Sequence, residues 1–285
     1  MGWRSKRKKK KKPAWIVRLA WRLGYQPGRV MREVLEWVEV LAVAGALAAL
    51  IMSFVTVRMH VPTGSMIPTI DPQDSFFVDR ISYYFRDPKP GDIIVFYHTD
   101  QVLVRSVREG SPGDLVGLSP GERLVYLNAE PVYTADGAKE YLASLPPGTE
   151  VHLLTAGGRR YDLGKTVKGG STLDDFGITV REKRMRYVKR LIAVGGQTVQ
   201  IQDGDIYIDG ERLDDPRFDR YYYSNKSEYR YGVEPTLVPE GHYFVLGDNS
   251  NNSFDSRYWG FVNEKDLIGE PYLRVWPLSR FGLMN

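Results

Sequence analysis

The stretch Thr198–Gly210, TVQIQDGDIYIDG, indicates the fold class of this chain. Apolar and polar residues alternate on both sides of Asp203-Gly204, which is the pattern of β-strands with one buried face. Asp-Gly is a turn dipeptide that favours a tight hairpin, and a second copy, Asp209-Gly210, ends the stretch. The stretch therefore predicts two short antiparallel strands.

Similar short runs, bounded by Gly, Pro and Asp, recur through residues 58–285 and predict a mainly β protein with antiparallel sheets. The strongest helical pattern beyond the amino terminus is Ala135–Leu145, which Pro146-Pro147-Gly148 ends. Because this helix lies within a strand, turn, helix, strand unit, we expect an inserted α+β module. The other predicted strands are Phe76–Val78, Ile93–Phe96, Tyr243–Leu246 and Tyr272–Trp276.

Length and composition limit the classes of protein that fit. A chain of 285 residues is long enough for about two domains. It contains no cysteine, which excludes disulfides, cysteine-ligated zinc or iron-sulfur sites and a thiol nucleophile. The net charge is +4, yet residues 1–32 hold twelve Lys and Arg and no acidic residue, so residues 33–285 carry a net charge of −8. The basic character therefore belongs to an amino-terminal tail.

This tail predicts contact with a membrane surface. Lys6–Lys12 is an unbroken run of seven cations, which we expect to be disordered. Ala14–Leu23 mixes tryptophan and aliphatic residues with arginine, a composition suited to an interfacial helix on anionic lipid. A nucleic-acid-binding arm is the alternative interpretation of the cations.

Val40–Val57 has eighteen consecutive residues without a charge. As a helix it would be roughly 27 Å long, close to the thickness of the bilayer core, so it favours a membrane anchor over a buried soluble helix. A cleaved signal peptide would need small residues just after the apolar run, where Arg58-Met59-His60 stands instead. By the positive-inside rule, the basic tail is cytoplasmic and the rest of the chain lies outside.

Two segments suggest a nucleophile and its base. Ser65 lies in Pro62–Thr69, PTGSMIPT, directly after the apolar run. A serine in such a turn usually has no chemical role, and it becomes a nucleophile only if a neighbouring base removes its proton. The candidate bases are a lysine or one of the histidines, which are His60, His98, His152 and His242.

Lys189 is the better candidate base, because it lies within the apolar run Tyr187–Val194. Strand alternation points its side chain to the same face as Tyr187 and Leu191. Burial disfavours the ammonium form and would lower the pKa of the amine. The alternative is a strand lysine whose amine reaches solvent.

A third segment, Gly247–Gly260, is dense in Asn, Asp and Ser. It is either an Asx-rich turn or a rigid support for a catalytic residue. Together the three segments resemble the type I signal peptidases, which are bacterial membrane-bound Ser-Lys endopeptidases. The resemblance covers residues 58–97 and 184–285, and it implies that Ser65 is the nucleophile and Lys189 the general base.

The resemblance also implies roles for neighbouring residues. The Thr63 hydroxyl and the Ser65 amide would form the oxyanion hole, and Ser253 would orient the lysine. Structural support would come from Arg190, Asp248, Asp255 and Arg257. Extended substrate would pair with the backbone around Met59–Thr63 and Arg186–Val188, and it would contact Pro62, Met66, Tyr187 and Val188. The chain departs from the family at Thr63, which replaces a serine, at Ala193–Gln197 and at Ser250-Asn251. No metal, organic cofactor or nucleic acid is implied.

The insert resembles a bacterial PDZ domain over Gly110–Leu124 and Leu127–Val132, followed by the helix Ala135–Leu145 and the strand Val151–Thr155. A PDZ groove takes a peptide as an added strand. The usual first strand and carboxylate loop are not evident before Val102, and Phe176-Gly177-Ile178 could supply them in a permuted arrangement. Otherwise the module would only pack and position.

We therefore predict a signal-peptidase-like antiparallel β core with an inserted PDZ-like α+β module and one amino-terminal transmembrane helix. The expected activity is removal of signal peptides from exported preproteins at the outer face of the cytoplasmic membrane. The expected partners are preprotein signal peptides, membrane lipid and a peptide or protein ligand of the insert. The alternatives are a PDZ-type adaptor on an inactive peptidase scaffold, and an enzyme of the same chemistry dedicated to one substrate. The predicted division is a basic tail (1–32), a transmembrane helix (33–58), a core in two parts (59–99 and 184–285) and the insert (100–183).

Overall fold

The structure is a computed structural model that describes residues 14–166, 169–215, 218, 223 and 229–284. The cationic run Lys6–Lys12 lies outside the described residues. The chain forms two compact units, with the boundary after Val57.

The first unit contains two helices, α1 (Trp15–Arg22) and α2 (Arg29–Phe54). Helix α2 is long and apolar enough to cross a membrane. It begins before the predicted residue 33, directly after Gly28, and ends before the predicted residue 58. The last residues of the uncharged run, Val55–Val57, are β-branched, and Thr56 already belongs to a strand. Because β-branched side chains favour strands, the helix ends where they begin.

The second unit is built mainly from β-strands, and strands β2 to β16 all pair antiparallel among the described residues. The prediction of a mainly antiparallel β fold is therefore confirmed. Three short helices are α3 (Pro112–Leu115), α4 (Ala135–Ser144) and α5 (Ser256–Trp259). The strands are β1 (Thr56–His60), β2 (Ser75–Asp79), β3 (Ile93–Val107), β4 (Arg123–Leu127), β5 (Glu130–Pro131), β6 (Glu150–Thr155), β7 (Arg160–Lys165), β8 (Ile178–Val194), β9 (Thr198–Gln202), β10 (Asp205–Ile208), β11 (Glu211–Arg212), β12 (Thr236–Leu237), β13 (His242–Leu246), β14 (Val262–Asn263), β15 (Leu267–Trp276) and β16 (Gly282–Leu283).

The stretch Thr198–Gly210 forms the predicted hairpin, in which β9 pairs with β10. Its turn residues Asp203 and Gly204 have φ angles of 52° and 92°, the left-handed pair that a tight hairpin needs. This hairpin belongs to a small sheet with the order β11-β10-β9-β12. The large sheet has the order β1-β2-β15-β3-β4-β6-β7, and β8 pairs with β3 and β13.

The two longest strands, β3 and β8, connect the core to the insert. They pair from Ile93 opposite Arg190 to Val107 opposite Ile178, with two bulges. Both strands cross the predicted insert boundaries at residues 100 and 183 without a break. The insert is therefore continuous with the core through a two-stranded ladder, whereas the sequence suggested only turn-rich boundaries.

Strand β8 has two segments that differ in their surroundings. Every side chain from Arg181 to Arg186 is exposed, and we call this the exposed segment. Every side chain from Val188 to Ala193 is buried, and we call this the buried segment. Strand β13 covers the second edge of β8 only from Arg190 onward, so the exposed segment pairs with β3 alone among the described strands.

The insert has a hydrophobic core of its own, which includes Leu124, Leu142 and Phe176. The predicted helix is present as α4, whose first turn is capped by the Thr134 side chain accepting from the Gly137 amide. Gly177 has a φ of 75° and leads into β8, where Ile178 pairs with Val107. This chain path has the order that the permuted arrangement requires, and the PDZ resemblance itself remains a prediction.

Candidate active site

Ser65 lies in the turn between β1 and β2 and is 6% exposed. The loop that follows β13 holds this turn in place through two hydrogen bonds that Asn249 donates. Its backbone amide donates to the Ser65 carbonyl, and its side-chain amide donates to the Gly64 carbonyl, each over 3.0 Å. The predicted support loop therefore fixes the backbone on which the serine stands.

Lys189 belongs to the buried segment of β8, in register with Ile94 of β3. Its side chain is 3% exposed, and its Nζ donates a hydrogen bond to Ser65 Oγ over 2.7 Å. The two residues are 124 positions apart in the chain, and the distance between their side-chain atoms lies within the range of about 2.6–3.2 Å expected for a nucleophile and its base.

Burial lowers the pKa of the Lys189 amine to about 8. The negative charges of Asp255 and Asp248 raise this pKa, and the positive charge of Arg257 lowers it further. The Nζ atom also lies 5.7 Å from the centre of the Tyr187 ring. At neutral pH a lysine with such a pKa is neutral in a usable fraction of molecules, so it can accept a proton.

Arg190 and Asp248 form a buried ion pair beside the lysine. The guanidinium makes two parallel hydrogen bonds to the carboxylate, of 2.7 Å from Nε and 2.6 Å from Nη2. Its remaining nitrogen donates to the Gly91 carbonyl over 2.8 Å. This bidentate geometry ties β8 to the support loop, next to the residue that carries the amine.

Asp255 and Arg257 form a second buried ion pair within the support loop, with hydrogen bonds of 2.8 and 2.9 Å. Asp255 also accepts from the Gly247 amide over 3.0 Å. Arg257 donates to both the hydroxyl and the carbonyl of Ser250, the position where the chain departs from the family pattern. The loop is thus held by charge-assisted hydrogen bonds that are shielded from solvent.

Two of the predicted site residues make no hydrogen bond in this arrangement. The Ser253 hydroxyl is buried beside the dyad, and it has no hydrogen-bond partner among the described residues. It therefore does not contact Lys189 in the way that the resemblance implies. It lies so close to Gly247 that a Cβ at that position would be only 2.2 Å away. Thr63 is exposed and lines the cleft next to Ser65.

The dyad opens into a cleft of about 460 Å³. Pro62, Tyr187 and Val188 line it, as the sequence suggested. Met66 does not line the cleft, since its side chain is wholly buried in the core. The resemblance also implied that substrate pairs along Met59–Thr63 and Arg186–Val188, and Met59, Val61 and Arg186 line the cleft. The lining residues to which the sequence analysis assigned no substrate-binding role are Gly64, Asp100, Met185, Asn251, Asn252, Phe254 and Tyr258.

The histidines that could compete for the role of base lie elsewhere. His60, His152 and His242 contact Ser75, Asp162 and the Glu240 carbonyl respectively. His98 packs against Trp259, with the ring centres 4.1 Å apart, and burial lowers the pKa of its imidazole to about 4. None of the four hydrogen-bonds to Ser65 within the described part of the chain. That part also contains no group of three or more side chains placed to hold a metal ion.

Comparison with known proteins identifies the family. Residues 34–155 and 160–276 match the family model for signal peptidase, peptidase S26. The chain is 30% identical to signal peptidase I of Mycobacterium tuberculosis, over 91% of this chain and 79% of the relative. It is 29% and 27% identical to probable signal peptidases I-1 and I-2 of Synechocystis, over 88% of this chain and 86% and 77% of those relatives. With the family match covering most of its length, the chain belongs to the signal peptidase family, peptidase S26.

Proposed function

We propose that this protein is an endopeptidase that removes amino-terminal signal peptides from exported preproteins by means of a Ser65–Lys189 dyad. The observation that carries the proposal is the 2.7 Å hydrogen bond between Ser65 and a buried lysine at the base of an open cleft. Family membership and the names of the relatives agree with it. An inactive scaffold would have no need for a buried amine whose pKa lies near 8.

In the acylation step, neutral Lys189 takes the proton of the Ser65 hydroxyl as its oxygen attacks the carbonyl carbon of the peptide bond. The Ser65 amide and the Thr63 hydroxyl stabilise the oxyanion that develops. The protonated amine then gives its proton to the leaving amino group, and the mature protein departs.

In the deacylation step, Lys189 takes a proton from water, which attacks the ester between Ser65 and the signal peptide. Collapse of this second tetrahedral species returns the proton to the serine oxygen and releases the signal peptide. In this scheme Ser253 orients the amine. Its hydroxyl is buried, and the residue lines the same cleft as Ser65 and Lys189.

We also propose a location for the enzyme. Helix α2 anchors it in the cytoplasmic membrane, with the basic residues 1–32 in the cytoplasm and the second unit outside. Ser65 follows the end of α2 by eleven residues, so the nucleophile works near the surface from which signal peptides emerge. Anchoring raises the effective concentration of the enzyme for membrane-bound preproteins.

The insert, residues 100–183, is proposed to bind a peptide or protein ligand in the manner of a PDZ-like module. Its separate hydrophobic core supports this division of roles. The ladder of β3 and β8, which runs from the cleft into this region, also supports the proposal.

The test of the proposed function is cleavage of a purified preprotein by the full chain in detergent. We expect Ser65→Ala to abolish cleavage without changing the melting temperature by more than about 2 °C, because the residue loses only one oxygen atom. Ser119→Ala removes the same atom from an exposed serine of the insert that does not line the cleft, so it is the matched control, and we expect it to retain turnover. Normal cleavage by Ser65→Ala would contradict the assignment of the nucleophile. Binding without turnover by the wild-type protein would favour the adaptor.

A further inference from the structure

Phe254 is an exposed residue between buried neighbours in the support loop, which is Gly247–Gly260. Ser253 and Asp255 are 6% and 0% exposed, whereas Phe254 is 43% exposed and lines the cleft. The Asp255 carboxylate accepts from the Gly247 amide over 3.0 Å and belongs to the buried ion pair of this loop, so the backbone beside Phe254 is fixed. The loop therefore presents an aromatic ring to the cleft from a defined position.

The Phe254 ring belongs to a row of packed aromatic side chains. Its centre lies 5.1 Å from that of Tyr258 and 5.5 Å from that of Tyr133. Tyr258 packs in turn on the buried Tyr229, edge to face, with the ring centres 5.0 Å apart. Ring centres at these separations form favourable aromatic pairs. The contacts hold the Phe254 ring in one orientation while part of its surface stays open to the cleft.

Tyr133 comes from the insert and not from the core. It packs against the hydrophobic cluster of the core that includes Trp259, rather than against the insert's own core. A second contact joins the same parts of the chain, since Glu130 forms an ion pair of 2.6 Å with Arg230. The Arg230 amide donates in turn to the Arg257 carbonyl of the support loop over 2.8 Å. The insert therefore holds this wall of the cleft at two points.

The support loop contributes an uncharged wall to the cleft. The charged lining residues come from other elements, with Asp100 in β3 and both Arg186 and Lys189 in β8. An exposed ring on an uncharged wall favours an apolar side chain, because a charged one would lose hydration there without gaining a partner. The lining residues of the loop are Asn251, Asn252, Ser253, Phe254 and Tyr258.

The place of this wall beside the dyad indicates which part of a substrate meets it. By the resemblance, the segment before the cut bond pairs along Met59–Thr63 and Arg186–Val188, and both segments contribute to the cleft. The support loop lines a different wall and is bonded to the turn that carries Ser65, through the Asn249 side chain. A substrate whose carbonyl lies at Ser65 therefore meets the loop with the residue that follows the cut bond.

We propose that Phe254 and Tyr258 form an aromatic shelf that binds the side chain of the first residue after the cut bond, with aromatic and large aliphatic side chains preferred, and that Tyr133 of the insert positions this shelf. The inference rests on the proposed function, because it names a substrate preference of the same site. It gives the insert a part in the choice of substrate through its contact with the cleft wall, independently of any ligand of its own.

The experiment compares two preproteins that differ only in the first residue after the cut bond, which is phenylalanine in one and serine in the other. The full chain in detergent cleaves each, and the readout is the ratio of the two kcat/KM values, which a general loss of activity does not alter. We expect a ratio of about five in favour of phenylalanine, since one added aromatic contact gives a factor of that order. A ratio of one would overturn the inference, whereas failure of the proposed function would show as no cleavage of either preprotein.

Variants of the shelf and of its support locate the preference. Phe254→Ala should bring the ratio to about one, because the added contact is lost. Tyr133→Ala should lower the ratio to less than about half of its wild-type value, and Tyr133→Phe should keep it, because the contact with Phe254 is made by the ring. Phe85→Ala is the matched control, since it removes an exposed ring that does not line the cleft, and it should keep the wild-type ratio.

Two outcomes with these variants would contradict the inference. A wild-type ratio in Phe254→Ala would overturn the assignment of the shelf. A wild-type ratio in Tyr133→Ala would overturn the role of the insert in positioning it.

Discussion

The two segments of β8 differ although they belong to one strand and pair with the same neighbour. The exposed segment, Arg181–Arg186, has four cations at the surface, whereas the buried segment, Val188–Ala193, encloses Lys189 and Arg190. The two segments also differ at the second edge of the strand, which β13 covers from Arg190 onward. Lysine and arginine side chains are therefore exposed in one segment and buried in the other, only a few residues apart in the chain.

This comparison shows that one long strand provides two environments. The buried segment excludes solvent, so it holds an amine at a lowered pKa against the Ser65 hydroxyl. The exposed segment keeps its charged side chains at the surface.

The largest difference between the two segments is expected when one lysine in each is replaced by methionine. We expect Lys189→Met to reduce kcat/KM on a short peptide by at least about 10⁴-fold, because the base is lost while the volume of the side chain is nearly kept. Lys183→Met, made in the exposed segment, should change the same quantity by less than about twofold. Steady-state kinetics of the full chain in detergent provide both values, and comparable losses in the two variants would refute the distinction between the segments.

A smaller difference is expected when one arginine in each segment is replaced by methionine. Arg190 is buried and pairs with Asp248, which Arg190→Met would leave as an unpaired buried carboxylate. Breaking such a pair costs about 3–5 kcal/mol of unfolding free energy. Arg184 pairs with Asp266 at the surface, and its replacement by Met should cost no more than about 1 kcal/mol. Thermal melting of the two variants gives the order, and a reversed order would show that the burial of Arg190 does not stabilise the loop.

The sequence predicted that Ser65 and Lys189 meet, but it did not predict their surroundings. Apolar neighbours indicated that Lys189 is buried, and the resemblance to the family paired it with Ser65, which lies 124 positions away. Nothing local to Asn249 indicated that its side chain would reach the Gly64 carbonyl. Such contacts depend on how the strands stack after folding, which alternation alone does not determine.

The predictions that differed from the structure depend on packing and pairing between distant parts of the chain. Met66 directly follows the serine, but its side chain is wholly buried in the core instead of lining the cleft. The insert boundaries were placed at turn-forming residues, but the ladder of β3 and β8 continues through them because pairing extends as long as both strands remain in register. The contact of Tyr133 with Phe254 joins parts of the chain that share no local pattern.

The smallest expected effect is the dependence of kcat/KM on pH, which follows from the pKa of Lys189. Burial lowers that pKa to about 8, so the amine is mostly protonated at pH 7 and mostly neutral at pH 9. Only the neutral amine can accept the serine proton, and kcat/KM should therefore rise about tenfold between pH 7 and pH 9, with an apparent pKa near 8 for the free enzyme. An unperturbed lysine would instead give a rise that continues to about pH 10.4. A profile with its midpoint near 10 would contradict a buried base, and a midpoint near 6.5 would indicate a histidine with an ordinary pKa, so the position of the inflection tests the burial of the amine.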